Sequence, residues 1–578
     1  MKRCPQCNRG ETDDSLTFCR VDGTALIQDS LNEDSGTIRF NSAPVSGDAQ
    51  TNVLHSAALT DPGNRPVQQT TVLPSPNTNE NTRPLAKRKS STLIIALTAV
   101  IVVAAIAAGY FYARTNKANA IDSIAVLPFE NKSGNADSEY LCDGLAESLI
   151  YRLSQLPDLK VSPANSVFRY KGKAADVKTI ASELGVSAVM VGRMSQRGDD
   201  LSISVELIDA SSNKLLWGEQ YDRKTSDLLT TQREIAATIV QKLQLKLSRS
   251  EAKGLTKSYT ESNEAYQLYL KGRFYWNKRT GENLRKAIEQ FAAASEKDPN
   301  FALAYVGLAD CYVILPFYET TAISQDVLAK AKAFAERALA IDPNLGEAHA
   351  SLGYTHYMLW NWAEAEPELK RAIELSPNYA TGHKWYGNYL EDMRRDDESL
   401  REFKKAQELD PLSLIITVNL ADRYLDSGDL KSAYAEVNKA IDLDPSYAEA
   451  QHPLSFIYLR QGKKNEALAA AQKGVELSRT GFFLSNLGFI YTQTGNRKEA
   501  LNVLKELEAM YSRREATGYH LAGVFVGLGD KDSAFSWLEK DFKNRNSTLV
   551  AWMDFPPLNA LRDDSRMVDL RQRMGLPQ

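Results

Sequence analysis

The sequence predicts a mainly α protein: a superhelix of stacked helix hairpins, preceded by a small α/β domain and one membrane-spanning helix. Three observations carry this. Pro343, Pro377, Pro411 and Pro445 stand 34 residues apart, and a fixed period of this length marks a repeated helix pair. Residues 93–112 form an uncharged apolar run of 20 residues, about one bilayer thickness as a helix. Between residues 121 and 247, strand-like runs alternate with helical periodicity, the pattern of a compact α/β domain.

The repeats come first. Between Pro343 and Pro377, Leu352, Gly353 and His356 fall on one predicted helix and Ala365, Leu369 and Ala372 on the next. Gly353 and Ala365 are small enough for two helices to approach closely, and Leu352 and Leu369 fill the space between them. Pro377 ends the second helix, because proline cannot continue it and restricts the residue before it. Tyr386, Gly387, Leu390, Ser399, Phe403 and Ala406 repeat the pattern before Pro411, and Leu420, Ala421, Tyr424, Ala433, Val437 and Ala440 repeat it before Pro445. Position by position this resembles the tetratricopeptide repeat. Eight units are expected over residues 262–550, the second carrying a loop insertion around 316–325, and the last three lacking the terminal proline. Residues 551–578 are expected to cap the array with an amphipathic helix at 558–574, since terminal units must shield the core from water.

Ahead of the repeats lies the membrane segment. Residues 90–113 contain no charge; Lys87, Arg88 and Lys89 precede them, and Arg114 and Lys117 follow. The positive-inside rule favours a cytoplasmic N-terminus, with Tyr110, Phe111 and Tyr112 as anchors at the far interface. This predicts a single-pass protein of a bacterial inner (plasma) membrane, its C-terminal domains periplasmic. The reverse orientation and a buried soluble helix are the alternatives. Ala104, Ala105, Ala107, Ala108 and Gly109 are small residues of the kind that permit close packing between spans, so a homodimer is compatible with the sequence. Net charge is −4 with mixed signs, which leaves no strongly basic footprint for nucleic acid.

At the start, Cys4, Cys7, Cys19 and Asp22 are spaced like two metal knuckles over residues 1–29. Zinc takes four ligands in a tetrahedron, and paired Cys-x-x-Cys knuckles supply two each. The segment resembles the short zinc ribbons that open some bacterial membrane proteins, except that Asp22 stands where a cysteine belongs. Zinc held by three thiolates and a carboxylate, and a metal-free turn, are both open. Residues 30–89 are rich in Asn, Thr, Ser, Pro and Gln and are expected to be a disordered linker.

The α/β domain is expected over residues 121–250, in the order strand 121–129, helix 139–156, an optional strand, helix 177–184, strands 186–195, 201–208 and 215–221, and a long helix 225–247. Gly198-Asp199-Asp200 marks a hairpin turn. The stretches SIAVLPFENKSG, DGLAESLIYRLS, FRYKGKAADV, ELGVSAVMVGRM and LIDASSNKLLWGEQYDR resemble the TolB N-terminal-like domain. That resemblance implies an interaction or sensory module without established catalysis.

No enzyme is expected. Glycines near 192–198 lack the lysine–hydroxyl sequence of a phosphate loop, and no Ser or Cys sits in a triad-like context. His356 lies seven residues after His349 on one helix and His383 repeats the place of His349 one unit later; all three are expected to pack in the core rather than bind metal, and Cys142 and Cys311 are expected as buried free thiols. Lys384 and Asn388 fall one turn apart on a first helix, and Asn419 one repeat later, all facing the expected groove. Some tetratricopeptide domains grip a peptide carboxylate with such a trio and two further basic residues. Glu449 and Pro453 occupy those further positions here, so the clamp is incomplete. Tyr354, Tyr357, Ile415, Val418, Phe456 and Leu459 give the groove apolar anchors as well. The expected function is a membrane-anchored protein- or peptide-binding scaffold or assembly factor. The alternative is a single-pass receptor that couples outside binding to the cytoplasmic ribbon.

Overall fold

The computed structural model describes residues 121–577, apart from 135–137, 174–175, 319–323, 548, 551–552 and 554–555, together with residues 2–3, 10–11 and 27–28. The predicted span 90–113, the linker 30–89 and the ligand set Cys4, Cys7, Cys19 and Asp22 lie outside the described residues. Among the described residues no helix is long and apolar enough to cross a membrane. Near the start, β1 (Lys2–Arg3), β2 (Gly10–Glu11) and β3 (Ile27–Gln28) form an antiparallel sheet in the order β2-β1-β3, with Lys2 opposite Glu11 and Gln28.

The α/β domain is built on one mixed sheet. Its strands are β4 (Ser123–Val126), β5 (Glu130–Asn131), β6 (Lys160–Val161), β7 (Ala188–Arg197), β8 (Asp200–Asp209) and β9 (Lys214–Lys224), in the order β6-β4-β7-β8-β9, with β5 also on β7. β4 is parallel to β6 and β7 and is buried along its length, as expected of a strand covered on both faces. β7, β8 and β9 are antiparallel; β8 alternates buried with more exposed positions, and β9 buries Trp217 and Tyr221 only. Gly198 takes φ +61° in the β7–β8 turn, a conformation glycine adopts without strain.

The helices of this domain are α1 (Glu139–Ser154), α2 (Ala164–Phe168), α3 (Val177–Leu184) and α4 (Leu228–Lys242), followed by α5 (Arg249–Thr256). Two details differ from the sequence reading. The single helix expected over 225–247 ends at Lys242, because Gln244 takes φ +56° and reverses the chain. A capping box at Ser248 and Glu251 then starts α5. The short strand β6 fills the place of the optional strand, and the short helix α2 after it was not expected.

Eight helix pairs follow among the described residues. They are α6 (Asn263–Trp276) with α7 (Gly281–Lys297), α8 (Ala302–Tyr318) with α9 (Ser324–Ile341), α10 (Gly346–Met358) with α11 (Trp362–Leu375), and α12 (Ala380–Asp392) with α13 (Asp396–Leu409). Then come α14 (Leu414–Asp426) with α15 (Leu430–Leu443), α16 (Gln451–Arg460) with α17 (Lys464–Leu477), α18 (Gly481–Gln493) with α19 (Arg497–Ser512), and α20 (Gly518–Leu528) with α21 (Lys531–Lys543). Leu369 and Phe403, fully buried, occupy equivalent places in the third and fourth pairs. Phe291 fills the first pair so closely that a Cβ on Gly272 or Gly307 would meet its ring.

Of the insertion predicted around 316–325, residues 319–323 lie outside the described residues, and the rest belongs to the two helices of the second pair. α8 runs through Pro316 to Tyr318, and α9 begins at Ser324. A proline three residues from a helix end removes little, because burial of Val313, Ile314, Leu315 and Pro316 holds the last turn in place. The single capping helix expected at 558–574 is two short helices, α22 (Pro556–Asn559) and α23 (Ser565–Arg573). Their role also differs, because the superhelix winds back on itself. Trp362 Nε1 donates to the Met574 carbonyl at 2.8 Å, and Arg571 Nη2 donates to the Asp392 carbonyl at 3.2 Å. The Trp360 and Phe542 rings stack with centroids 5.8 Å apart. The C-terminus therefore seals against the third and fourth pairs as well as against the eighth.

Candidate groove of the repeat superhelix

Part of the repeat surface is already taken by the chain itself. α1 and the segment after it run along the first five helix pairs. Glu147 accepts from Arg273 Nε at 2.7 Å and from Asn277 Nδ2 at 2.9 Å. Ser148 and Tyr266 share a hydroxyl hydrogen bond of 2.6 Å. Gln155 donates to Glu347 at 3.1 Å, and Asn378 donates to the Leu156 and Leu159 carbonyls at 3.1 and 3.3 Å. Ser166 donates to Asp410, and Arg169 Nη2 to the Leu443 carbonyl at 2.8 Å. A single hydrophobic core joins Ile124 and Leu145 of the α/β domain to Leu270, Phe301 and Leu345 of the repeats.

Beyond this contact the superhelix keeps an unpaired basic face. Lys384 projects from α12, half-buried, with Nζ 6.0 Å from the centroid of the Trp385 ring. Trp385 stacks on Tyr354 at 4.7 Å with an interplanar angle of 7°. Asn388, one turn on, donates to Tyr354 Oη at 3.4 Å. No carboxylate pairs with Lys384 among the described residues. Burial and the neighbouring Arg279 cation pull its pKa down to about 8. Arg279 belongs to the turn of the first pair, takes φ +50°, and lays its guanidinium 3.5 Å over Trp276. It too lacks a carboxylate partner among the described residues.

Of the predicted clamp, Lys384 and Asn388 thus share the α12 face beside Tyr354, and Asn419 is half-buried on α14. Glu449, at one of the two further clamp positions, is exposed on the repeat surface, and desolvation by its surroundings raises its pKa. Of the predicted apolar anchors, Tyr354, Tyr357, Val418 and Phe456 are buried, and Ile415 is exposed. Sequence reading missed Arg273 and Arg279. The run YLKGRFYWNKR at 269–279 is dense in aromatic and cationic residues, and that density was the available signal.

His356 and His383 are buried, as core packing requires, and His349 is half-buried. His349 Nδ1 bonds Glu368 at 2.5 Å and Nε2 bonds the Pro343 carbonyl at 3.0 Å; His383 repeats this with Glu402 at 2.6 Å and Pro377 at 3.0 Å. They are polar ties between the two helices of a pair and the preceding proline turn. No group of three His, Cys, Asp or Glu residues could hold a metal ion among the described residues. Cys142 and Cys311 are buried free thiols, and burial raises the Cys142 pKa to about 12, which leaves a poor nucleophile.

Comparison with known proteins follows the same division. Residues 418–447 match the tetratricopeptide repeat, and residues 119–238 match the second domain of HilA/YgeH-like transcriptional regulators. The chain is 30% identical over 253 residues to "Putative adenylate cyclase 3" of Rhizobium meliloti, a match covering 43% of this chain and 42% of that protein. The chain therefore spans less than half the length of that relative. It is 24% identical over 465 residues to the transcriptional regulator HilA of Salmonella typhimurium, covering 76% of this chain and 78% of that one. Among solved structures, YrrB, a tetratricopeptide-repeat protein with an unusual peptide-binding site, shares 19% identity with a TM-score of 0.25, covering 33% of this chain and 94% of YrrB. PilF of Pseudomonas aeruginosa shares 18% with a TM-score of 0.29, covering 36% and 94%. The α14–α15 pair is thus matched as a tetratricopeptide repeat, within an array of helix pairs that follows a small mixed-sheet domain.

Proposed function

We propose that this chain is a membrane-anchored scaffold whose repeat groove holds a segment of a partner protein by an acidic group, with Lys384, Asn388 and Asn419 as the contact residues and Arg279 beside them. Tetratricopeptide repeats serve protein–protein interaction, and the observation that singles out this stretch is the unpaired Lys384 on its aromatic platform. A half-buried ammonium without a counter-charge gains most from a ligand carboxylate, which forms charge-assisted bonds with Lys and amide donors. The apolar run 93–112 supports the membrane anchor, with the N-terminus cytoplasmic, the repeats periplasmic and no role in nucleic-acid binding. The pairing of Lys2–Arg3 with Gly10–Glu11 brackets Cys4 and Cys7 in sequence, which supports zinc at Cys4, Cys7, Cys19 and Asp22.

A second reading has its own support. The α/β domain matches part of a transcriptional regulator family, and a relative bears a cyclase name. In this reading the α/β–repeat unit is an input module, and the chain a single-pass receptor, signalling through dimerisation of its span. Cross-linking and affinity capture from membranes tests the first reading. A partner captured by the wild type and lost in the Lys384→Ala/Asn388→Ala/Asn419→Ala variant supports it; equal capture by both defeats the clamp.

A further inference from the structure

A separate cavity of about 160 Å³ lies where the α/β domain meets the repeats. A space of this size holds a molecule of roughly six to nine non-hydrogen atoms, since a cavity of about 150 Å³ accepts benzene. Its wall includes Tyr151 and Arg152 of α1, Tyr259 after α5, Trp276 and Asn277 of the first pair, and Glu347 of the third.

Two unpaired charges stand on this wall. Arg152 is 6% exposed. Its Nη1 donates to the Leu255 and Lys257 carbonyls at 2.6 and 2.8 Å, and its Nη2 donates to Gln232 Oε1 at 3.3 Å. Nε has no acceptor, and Nη2 makes a single bond although it carries two hydrogens. No carboxylate pairs with the guanidinium among the described residues. Glu347 is 7% exposed. Its Oε1 accepts from the neutral Gln155 amide, and its Oε2 accepts from nothing. Burial raises its pKa.

Three more atoms of lining residues lack partners: Tyr151 Oη, Trp276 Nε1 and Asn277 Oδ1. More than nine in ten buried polar groups in folded proteins are satisfied, and an unpaired buried charge costs several kcal/mol. Five open polar atoms around one cavity therefore call for an occupant, and the two charges say which kind. The Nε–Nη2 edge of a guanidinium matches the two oxygens of a carboxylate. Glu347 Oε2 calls for a cationic N–H donor. The Tyr151 and Tyr259 rings, 5.9 Å apart and edge to face, offer an apolar and cation-tolerant surface for the atoms between.

We propose that this cavity binds a small zwitterion, an amino acid or short amino carboxylic acid, with its carboxylate on Arg152 and its ammonium on Glu347. The site joins the α/β domain to the first and third repeats, so its occupant would stiffen that junction. The reading is independent of the groove at Lys384.

The test is calorimetry and thermal melting of the full chain in detergent with glycine, 4-aminobutyrate and 6-aminohexanoate, against acetate and methylammonium. At least one zwitterion is expected to bind and raise the melting temperature, while neither single-charge control does so at the same concentration. Glu347→Gln keeps the shape and is expected to weaken binding by about tenfold or more. Glu347→Asp keeps the charge and weakens it less, and serves if the first variant does not fold. Binding unchanged in the folded variants, equal stabilisation by acetate or methylammonium, or no binding by any of the three zwitterions at millimolar concentration overturns the proposal.

Discussion

His349 shows how one side chain makes the repeats sensitive to pH. Burial works against its charged form, but the Glu368 hydrogen bond and the Pro343 carbonyl outweigh it, and the pKa ends above the ordinary 6.5. A folded-state value above the unfolded one means that the charged tie contributes fully below pH 6.5, where both states carry the proton. As pH rises, the unfolded chain gives up its proton first, and the contribution is gone once pH passes the folded-state value. Wild type should therefore exceed His349→Gln in melting temperature by a margin that shrinks from about pH 6 to about pH 9. A margin that stays constant over that interval would mean the imidazole acts only by shape. Lys384 supplies the complementary case. Its pKa of about 8 predicts that a peptide with a free C-terminal carboxylate binds the groove less well as pH rises through that value. An amidated peptide should show no such decline, and fluorescence anisotropy of the two peptides reads the difference.

At the scale of helices, legibility follows from how local the cause is. The 34-residue step was readable because each pair solves the same packing problem with the same small and large residues. Gly353 illustrates it: a Cβ there would lie 2.8 Å from Leu369 Cγ, 2.9 Å from the Leu369 nitrogen and 3.1 Å from the Ala365 carbonyl. Two of those atoms are backbone and cannot yield, so Gly353→Ala should destabilise by about 1–3 kcal/mol, despite alanine's helix preference. Gly254, in α5, has nothing within 4 Å of the same added atom, so Gly254→Ala should stabilise by about 0.5–1 kcal/mol. Chemical denaturation of the two variants checks the opposite signs. What could not be read was set by contacts without periodicity. The Glu147–Arg273 pair joins residues 126 apart, and no spacing rule points from one to the other. That Lys384 and Asn388 share one face of α12 was legible from repeat register; Arg279, which sits on a turn with positive φ, was not. The burial of His356 and His383 was legible from repeat position; the bonds of His349 to Glu368 and of His383 to Glu402 were not, because repeat position says where a side chain points and not which carboxylate meets it.

At the scale of the molecule, closure decides how the parts act together. The α/β domain and the first four helix pairs share a core with most of the eighth pair and the C-terminal segment, while the fifth to seventh pairs build most of a second core. An array whose units touch only their neighbours would lose its terminal unit independently of the rest. Here the last residues are tied to the middle through Arg571 and Trp362. Arg571 is buried and bonds the Asp392 and Pro577 carbonyls, so it links the end of α12 to the final turn of the chain. Arg571→Leu keeps the apolar stem but leaves those carbonyls without their donor, each costing about 1–3 kcal/mol. The effect should be local rather than global, because the α6–α7 pair draws its packing from α1 and Phe291 and from none of these bonds. Hydrogen exchange should therefore quicken over 565–577 and over the end of α12, and stay unchanged over 263–297. Exchange that remains slow over 565–577 would show that the Trp360–Phe542 stack holds the seam without Arg571, and exchange that quickens everywhere would show the two cores opening as one.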